Sequence, residues 1–248
     1  MNGPGFDFID AIAVHSDGFA SAARDHLEAA VEHCPRWTVA DLVAHLTEVQ
    51  WFWATIAEEK LSAPPEDARR PATAPPAELI ENFRRGADRL VSVLRASDGA
   101  EAVWTWAPAQ HDIAFITRHQ VQETAVHHWD AARAAGSAVA IEAPVAVDAI
   151  TEFLTFSVSS DADPAEPARA SLNGRFALRC TDAEAAWTIS GGATAGTTSF
   201  VQSLDRDVPA ITATASDLLL WLYGRVDLDI ALVSSDLAAR FSALCFTD

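Results

Sequence analysis

The chain has 248 residues, and its 35 acidic residues against 17 lysines and arginines give a formal net charge of −18. Half of the residues are hydrophobic, so the chain can bury the core of one large domain or two modest ones. This excess of negative charge excludes nucleic acid and anionic membranes as partners captured by surface charge, and an anionic substrate would need arginines within the site.

The first half of the sequence is predicted to be helical. Apolar residues recur at three-to-four spacing in residues 6–33, 37–59 and 77–96, and a fourth helix is predicted from about 113 to 135. The proline-rich segment 61–76 is predicted to be a surface crossover between the second and third helices. Four helices of this length with one long crossover indicate a four-helix bundle.

The second half changes character after a further helical stretch, VAVDAITEFLTFSVSS. The polar, proline-containing residues 161–170 are predicted to be a loop, and the turn-rich residues 191–199 are predicted to connect strands. The strands themselves are predicted from alternating patterns in three segments: RFALRCT, AAWTIS and AITATA.

Two short helices are predicted near the end of the chain. The first occupies residues 216–225, begins at Ser216 as its cap and ends at Gly224, and the second follows in SSDLAARFSALCF. The predicted fold class is therefore α+β, with a four-helix bundle in residues 1–160 and a small α+β domain in residues 161–248.

Cysteine usage and hydropathy indicate a cytoplasmic protein. Cys34, Cys180 and Cys245 are too few for a disulfide framework, which favours a reducing compartment. The N-terminus has no basic region before an apolar core, and no apolar run approaches the ~20 residues of a membrane span. We expect a monomer or homodimer that acts on a small molecule.

A line of titratable side chains lies in the predicted fourth helix. His119, Glu123 and His127 are four residues apart and share one helical stripe, with Asp130 close to it. A glutamate and a histidine one turn apart can hold a divalent metal, and their oxygen and nitrogen donors suit zinc or another first-row ion. His45, on the apolar face of the second helix, is the predicted third ligand. Three protein ligands leave one position open, as in catalytic zinc sites.

Each of these residues also has a structural interpretation. A glutamate and a histidine four residues apart usually lie on a solvated helix face, and a single histidine on an apolar face, such as His45, usually belongs to the core. His119 has several possible roles: a fourth ligand, an acid or base beside the metal, a group that supports a ligand, or a plain helix-face residue. The two histidine-bearing patterns on separate helices together favour the metal site.

Four segments resemble the mycothiol-dependent maleylpyruvate isomerase family. WTVADLVAHL at 37–46 and RHQVQETAVHHWDA at 118–131 are similar to its two signature segments, and VWTWAP is similar to its aromatic loop. ATASDLLLWLYGR at 213–225 is similar to the most recognisable segment of its C-terminal domain. The resemblance spans nearly the whole chain. It implies a DinB-like helical bundle followed by a domain related to sterol-carrier proteins.

The resemblance also implies a cofactor and a co-substrate: zinc and mycothiol, the low-molecular-weight thiol of actinobacteria. It places the metal ligands on the same three residues as the helical stripe: His45, Glu123 and His127. Arg225 matches an arginine expected to reach the site, and Arg118 matches an arginine common just before the glutamate. His119 is not part of the family motif. The catalytic candidates are therefore Arg225, Arg118 and His119.

An open zinc site is compatible with more than one reaction. A metal-bound thiol loses its proton near neutral pH and can attack an electrophilic carbon, which leads to cis-trans isomerisation or to S-transfer. A hydrolase with zinc-activated water needs the same ligands, and a ligand-binding protein could use the sterol-carrier-like domain alone. The complete His/Glu/His set disfavours the binding protein. The family resemblance alone places the thiol-dependent enzyme ahead of the hydrolase.

Overall fold

The computed structural model describes residues 6–158 and 171–246, so the predicted loop at 161–170 lies outside the described residues. The chain divides into two compact units, Met1–Ala140 and Ile141–Asp248. No helix within the described residues is both long and apolar enough to span a lipid bilayer.

The first unit is built on four helices: α1 (Phe8–Ala23), α2 (Val39–Glu59), α3 (Leu79–Ala96) and α4 (Ile113–Ala134). α1 and α2 each pack against both α3 and α4, which confirms the predicted helical bundle. Large apolar side chains fill the space between the helices, among them Phe19, Leu42, Leu46 and Phe83. Burial of these side chains is what holds α2 and α4 at a fixed spacing.

α1 ends at Ala23, ten residues before the end of the predicted helix at residue 33. The segment after α1 uses its carbonyl groups to accept hydrogen bonds from the start of α2: Val39 donates to Ala29 and Ala40 donates to Leu27, both at 2.9 Å. The first N–H groups of a helix have no partner within that helix, so this turn satisfies two of them. The spacing of apolar residues does not show that these N–H groups need acceptors outside the helix.

Within its described residues, the second unit contains a four-stranded mixed sheet and three helices. The strands are β1 (Arg175–Cys180), β2 (Ala186–Gly191), β3 (Thr198–Val201) and β4 (Ala210–Ala213), in the order β3-β2-β1-β4. β1 is antiparallel to β2 and parallel to β4, and β2 is antiparallel to β3. The helices are α5 (Ala143–Phe156), α6 (Ala215–Leu222) and α7 (Ser235–Ser242). The predicted α+β class is confirmed.

The helix α5 belongs to the second compact unit, whereas the predicted first domain, residues 1–160, includes it. Its contacts explain this assignment. Trp187 of β2 donates a hydrogen bond from Nε1 to Thr151 Oγ1 at 3.0 Å, and the ring of Phe153 lies 4.9 Å from that of Tyr223. Helical periodicity shows that α5 has an apolar face, but it does not show which unit covers that face.

Two local features of the second unit differ from the prediction. Residues 192–197 form the predicted turn-rich connection, but the chain is already extended at Thr198, where the edge strand β3 begins and pairs with β2. The cap of α6 is Thr214, whose hydroxyl accepts from the Asp217 N–H at 3.1 Å, and not Ser216. The Ser216 hydroxyl accepts instead from the Ile141 N–H at 3.1 Å.

Candidate metal site

Side-chain caps fix the residues at which α2 and α4 begin. At α2, Thr38 and Asp41 form a reciprocal capping box: the Thr38 N–H donates to Asp41 at 2.8 Å, and the Asp41 N–H donates to the Thr38 hydroxyl at 3.3 Å. At α4, the carboxylate of Asp112 accepts from the Phe115 N–H at 2.8 Å.

The structure brings His45 of α2 against Glu123 and His127 of α4. His45 Nε2 lies 3.1 Å from Glu123 Oε1, and His127 Nε2 lies 3.5 Å from the same oxygen. All three donor atoms lie within 4.8 Å of one another. Ligands bound to one ion at ~2.0–2.1 Å with tetrahedral angles are about 3.3 Å apart, so this spacing fits a single metal ion.

The carboxyl group of Glu123 is held in its ionised form. Burial by itself raises the pKa of this group, but the hydrogen bond with His45 and the electrostatic attraction of His127, His119 and His45 lower the pKa to about 2. The side chain of Glu123 keeps 23% of its surface exposed, and that of His127 keeps 11%. Glu123 therefore offers a charged oxygen ligand at a partly enclosed position.

Asp130 orients the ring of His127. The His127 Nδ1 atom lies 3.0 Å from Asp130 Oδ2, and the Asp130 side chain has no exposed surface. Because an ionised carboxylate can only accept, Nδ1 carries the proton and the lone pair of the ring is at Nε2. That nitrogen faces Glu123, so the contact with Asp130 directs the lone pair of His127 toward His45 and Glu123.

A second cluster, not foreseen from the sequence, adjoins the first. The thiol of Cys34, a ring nitrogen of His127 and a carboxylate oxygen of Asp130 also lie within 4.8 Å of one another. Cys34 lies in the turn between α1 and α2, and Trp37 of the same turn packs its ring 5.1 Å from that of His45. The only sequence signal was position, since Cys34 comes shortly before the segment that carries His45.

His119 lies among aromatic rings and is absent from both clusters of metal-ligating atoms found in the described residues. Its ring centroid lies 5.8 Å from that of Trp53, 5.2 Å from Trp106 and 5.6 Å from Phe115, which we call the aromatic wall. Gln122 Nε2 donates to His119 Nδ1 at 3.1 Å, which places the ring proton on Nε2. In this neutral form His119 can donate a hydrogen bond from Nε2, and it can act as an acid only after Nδ1 is protonated as well.

The two candidate arginines are in different units. Arg118 is half-buried on α4, immediately before His119. Arg225 lies in the second unit after Gly224, whose φ of +68° ends the turn that follows α6. The Arg225 side chain is largely buried: Nη1 donates to the Tyr223 carbonyl at 2.8 Å, and the guanidinium lies 5.7 Å from the Tyr223 ring centroid. Catalytic roles for both arginines stay predictions.

Comparison with known proteins identifies family models that match this chain and a solved structure with a similar fold. Residues 9–132 match the model of the mycothiol maleylpyruvate isomerase N-terminal domain, and residues 144–240 match the model of the C-terminal domain of the same family. The fold is similar to the crystal structure of the mycothiol-dependent maleylpyruvate isomerase, with a TM-score of 0.58, 11% identity and 88% of each chain covered. At that identity the likeness shows the fold alone. No curated protein matches the chain.

Proposed function

This chain belongs to the mycothiol maleylpyruvate isomerase family, and from that premise we propose that it is a zinc-dependent enzyme with mycothiol as co-substrate. One observation carries the proposal: the convergence of His45, Glu123 and His127, from two helices, on a volume that fits one ion. The proposed reaction is addition of the thiol sulfur to an electrophilic carbon, leading to cis-trans isomerisation or S-transfer.

The donor set fits the proposed cofactor. Two imidazole nitrogens and one carboxylate oxygen are ligands that zinc binds, and three protein ligands leave one coordination position for a small molecule. A zinc ion in this set supplies positive charge that lowers the pKa of a bound thiol and makes it nucleophilic near neutral pH. Glu123, ionised because of its low pKa, contributes the one negative charge of the set.

The remaining side chains have proposed roles in binding and proton transfer. Asp130 keeps the lone pair of His127 directed at the metal ligands, and this is a positioning role. The aromatic wall offers an apolar surface to the carbon skeleton of the electrophile, with Trp106 42% exposed. His119, in its doubly protonated imidazolium form, is the proposed acid that gives a proton to the carbon next to the one attacked.

The outcome of the reaction depends on the fate of the thiol adduct. If the thiol adds to a cis carbon–carbon double bond, rotation about the resulting single bond and expulsion of the same thiol give the trans isomer. If the adduct is released instead, the product is a thioether and the reaction is S-transfer. We propose that Arg225 and Arg118 offer positive charge to a substrate carboxylate, which the net charge of −18 otherwise repels.

The test is incubation of zinc-loaded protein with mycothiol and a panel of electrophiles that includes maleylpyruvate, followed by mass spectrometry. A trans isomer or a thioether that requires both protein and thiol supports the proposal. The His45→Ala variant should be inactive, and the His26→Ala variant, changed at an exposed histidine outside the site, should retain activity.

Two outcomes would contradict this function and favour another. Cleavage of ester or amide substrates without any thiol would favour a hydrolase that uses zinc-activated water. Stoichiometric retention of an apolar ligand, with no turnover of any electrophile, would favour a ligand-binding protein. The assays with electrophiles, with ester or amide substrates and with apolar ligands all use the same zinc-loaded protein and the same two variants. The three functions are therefore compared directly.

A further inference from the structure

The backbone holds Cys34 in a fixed turn. Its N–H donates to the Val31 carbonyl at 3.3 Å, and its own carbonyl accepts from the Trp37 N–H at 2.9 Å. Arg36, between them, has a φ of +75°, a left-handed conformation that non-glycine residues rarely adopt. The turn also packs against the apolar core of the first unit. The backbone position of Cys34 is therefore set by the fold.

The sulfur of Cys34 shares its surroundings with two other potential ligands. The Asp130 side chain is fully buried, and its oxygen lies 3.0 Å from His127 Nδ1. With the sulfur, these groups offer one thiolate, one imidazole nitrogen and one carboxylate within 4.8 Å of one another. The thiolate gives this set a preference for soft ions that the oxygen and nitrogen donors of the first set lack.

His127 cannot serve both clusters at once. A neutral imidazole has one lone pair, and with Nδ1–H donating to Asp130 that pair is at Nε2, facing Glu123. A metal bound at Nδ1 would require the proton to move to Nε2 and the hydrogen bond to Asp130 to be replaced by coordination. Binding at one nitrogen therefore removes a ligand from the other set.

We propose that Cys34, Asp130 and the Nδ1 atom of His127 form a second metal-ligand set that takes a soft divalent ion in competition with the first set. A chain then binds one ion at a time, at Nε2 of His127 for harder ions and at Nδ1 for thiophilic ones. A thiophilic ion in the second set withdraws His127 from His45 and Glu123. This inference concerns the ligands alone and is independent of the proposed reaction.

The test is titration of the reduced, metal-free full chain with Cd²⁺, recorded as the ultraviolet charge-transfer band of a cadmium–thiolate bond. The wild type should develop this band and saturate at one ion per chain. Cys34→Ser should lose the band and bind Cd²⁺ at least about tenfold more weakly, since even the loss of a group that only orients a ligand weakens metal binding by 10–100-fold. Cys245→Ser is the matched control and should keep the band.

A second variant separates the two ligand sets. His45→Ala removes the first set but leaves Cys34, Asp130 and His127, so it should keep the cadmium–thiolate band at full intensity. Persistence of the band in Cys34→Ser, or Cd²⁺ binding by the wild type with no band, would overturn the inference. This experiment uses no substrate and measures no turnover. A negative cadmium titration would therefore leave the proposed function unaffected, and a lack of enzyme activity would leave the cadmium titration interpretable.

Discussion

His127 Nδ1 lies 3.0 Å from Oδ2 of Asp130, whose side chain is completely buried. This contact fixes the tautomer of His127, and it also places Asp130 beside Cys34 in the second cluster. The same carboxylate thus belongs to the surroundings of two possible metal positions. Its effect on each can be separated by measurement.

Replacing Asp130 by asparagine should weaken zinc binding by about 10–100-fold, the usual effect of losing a carboxylate that orients a histidine ligand. Asparagine has nearly the same size but a neutral amide, so the ring of His127 loses its anionic acceptor. Competition with a zinc-binding dye measures the effect. Asp88→Asn, on the exposed face of α3, is the control and should bind zinc like the wild type.

Removal of His45 should abolish stable zinc binding by the set of His45, Glu123 and His127 without unfolding the protein. His45→Ala deletes one of three donors, and the caps and the apolar core that define α2 do not involve its imidazole. Elemental analysis should find about one zinc per wild-type chain and almost none in the variant, whose circular dichroism stays helical. Equal zinc in both proteins would exclude His45 as a ligand.

The low pKa of Glu123 predicts how the stability of the metal-free protein depends on pH. The folded-state pKa of about 2 lies below the ordinary 4.5, so the ionised carboxylate stabilises the folded state above pH 4.5. That contribution is lost as the pH falls through 4.5 toward 2. The difference in the free energy of unfolding between wild type and Glu123→Gln should therefore shrink across this window. In urea titrations, exposed Glu28→Gln should show no such trend.

His119→Asn should distinguish the roles that the sequence leaves open. The aromatic surroundings of His119 indicate that it is an acid and not a metal ligand. The variant should then keep its zinc, and turnover should fall by about 10²–10⁴-fold. The loss should appear in kcat and should flatten one limb of the pH–rate profile. Loss of zinc from the variant would instead identify His119 as a fourth ligand.

The proposed role of the arginines predicts a dependence on substrate charge. Arg225→Ala and Arg118→Ala should each raise KM for a carboxylate-bearing electrophile by about 10–100-fold, because a hydrogen bond to a charged group contributes roughly 1.5–3 kcal/mol. The neutral methyl ester of the same electrophile should be affected much less. An equal loss with acid and ester would point to a structural role, such as the contact of Arg225 with Tyr223.

Local patterns in the sequence predicted much of the fold. Three-to-four spacing of apolar residues predicted the bundle helices, and alternation predicted three of the four strands. The fourth, β3, and the early end of α1 depend on hydrogen bonds with partners elsewhere in the chain, so no local pattern encodes them. For the same reason the apolar face of α5 could be recognised, while its assignment to the second unit could not.

The sequence by itself determined that Glu123 and His127 share a helical face, because residues four apart on a helix are always neighbours. It could only suggest His45, which is 78 residues from Glu123, and the 3.1 Å approach of the two results from the packing of α2 and α4. Tertiary structure alone separated His119 from the candidate metal ligands and brought Cys34 close to Asp130. Contacts between elements depend on packed volume and backbone hydrogen bonds, which residue spacing does not specify.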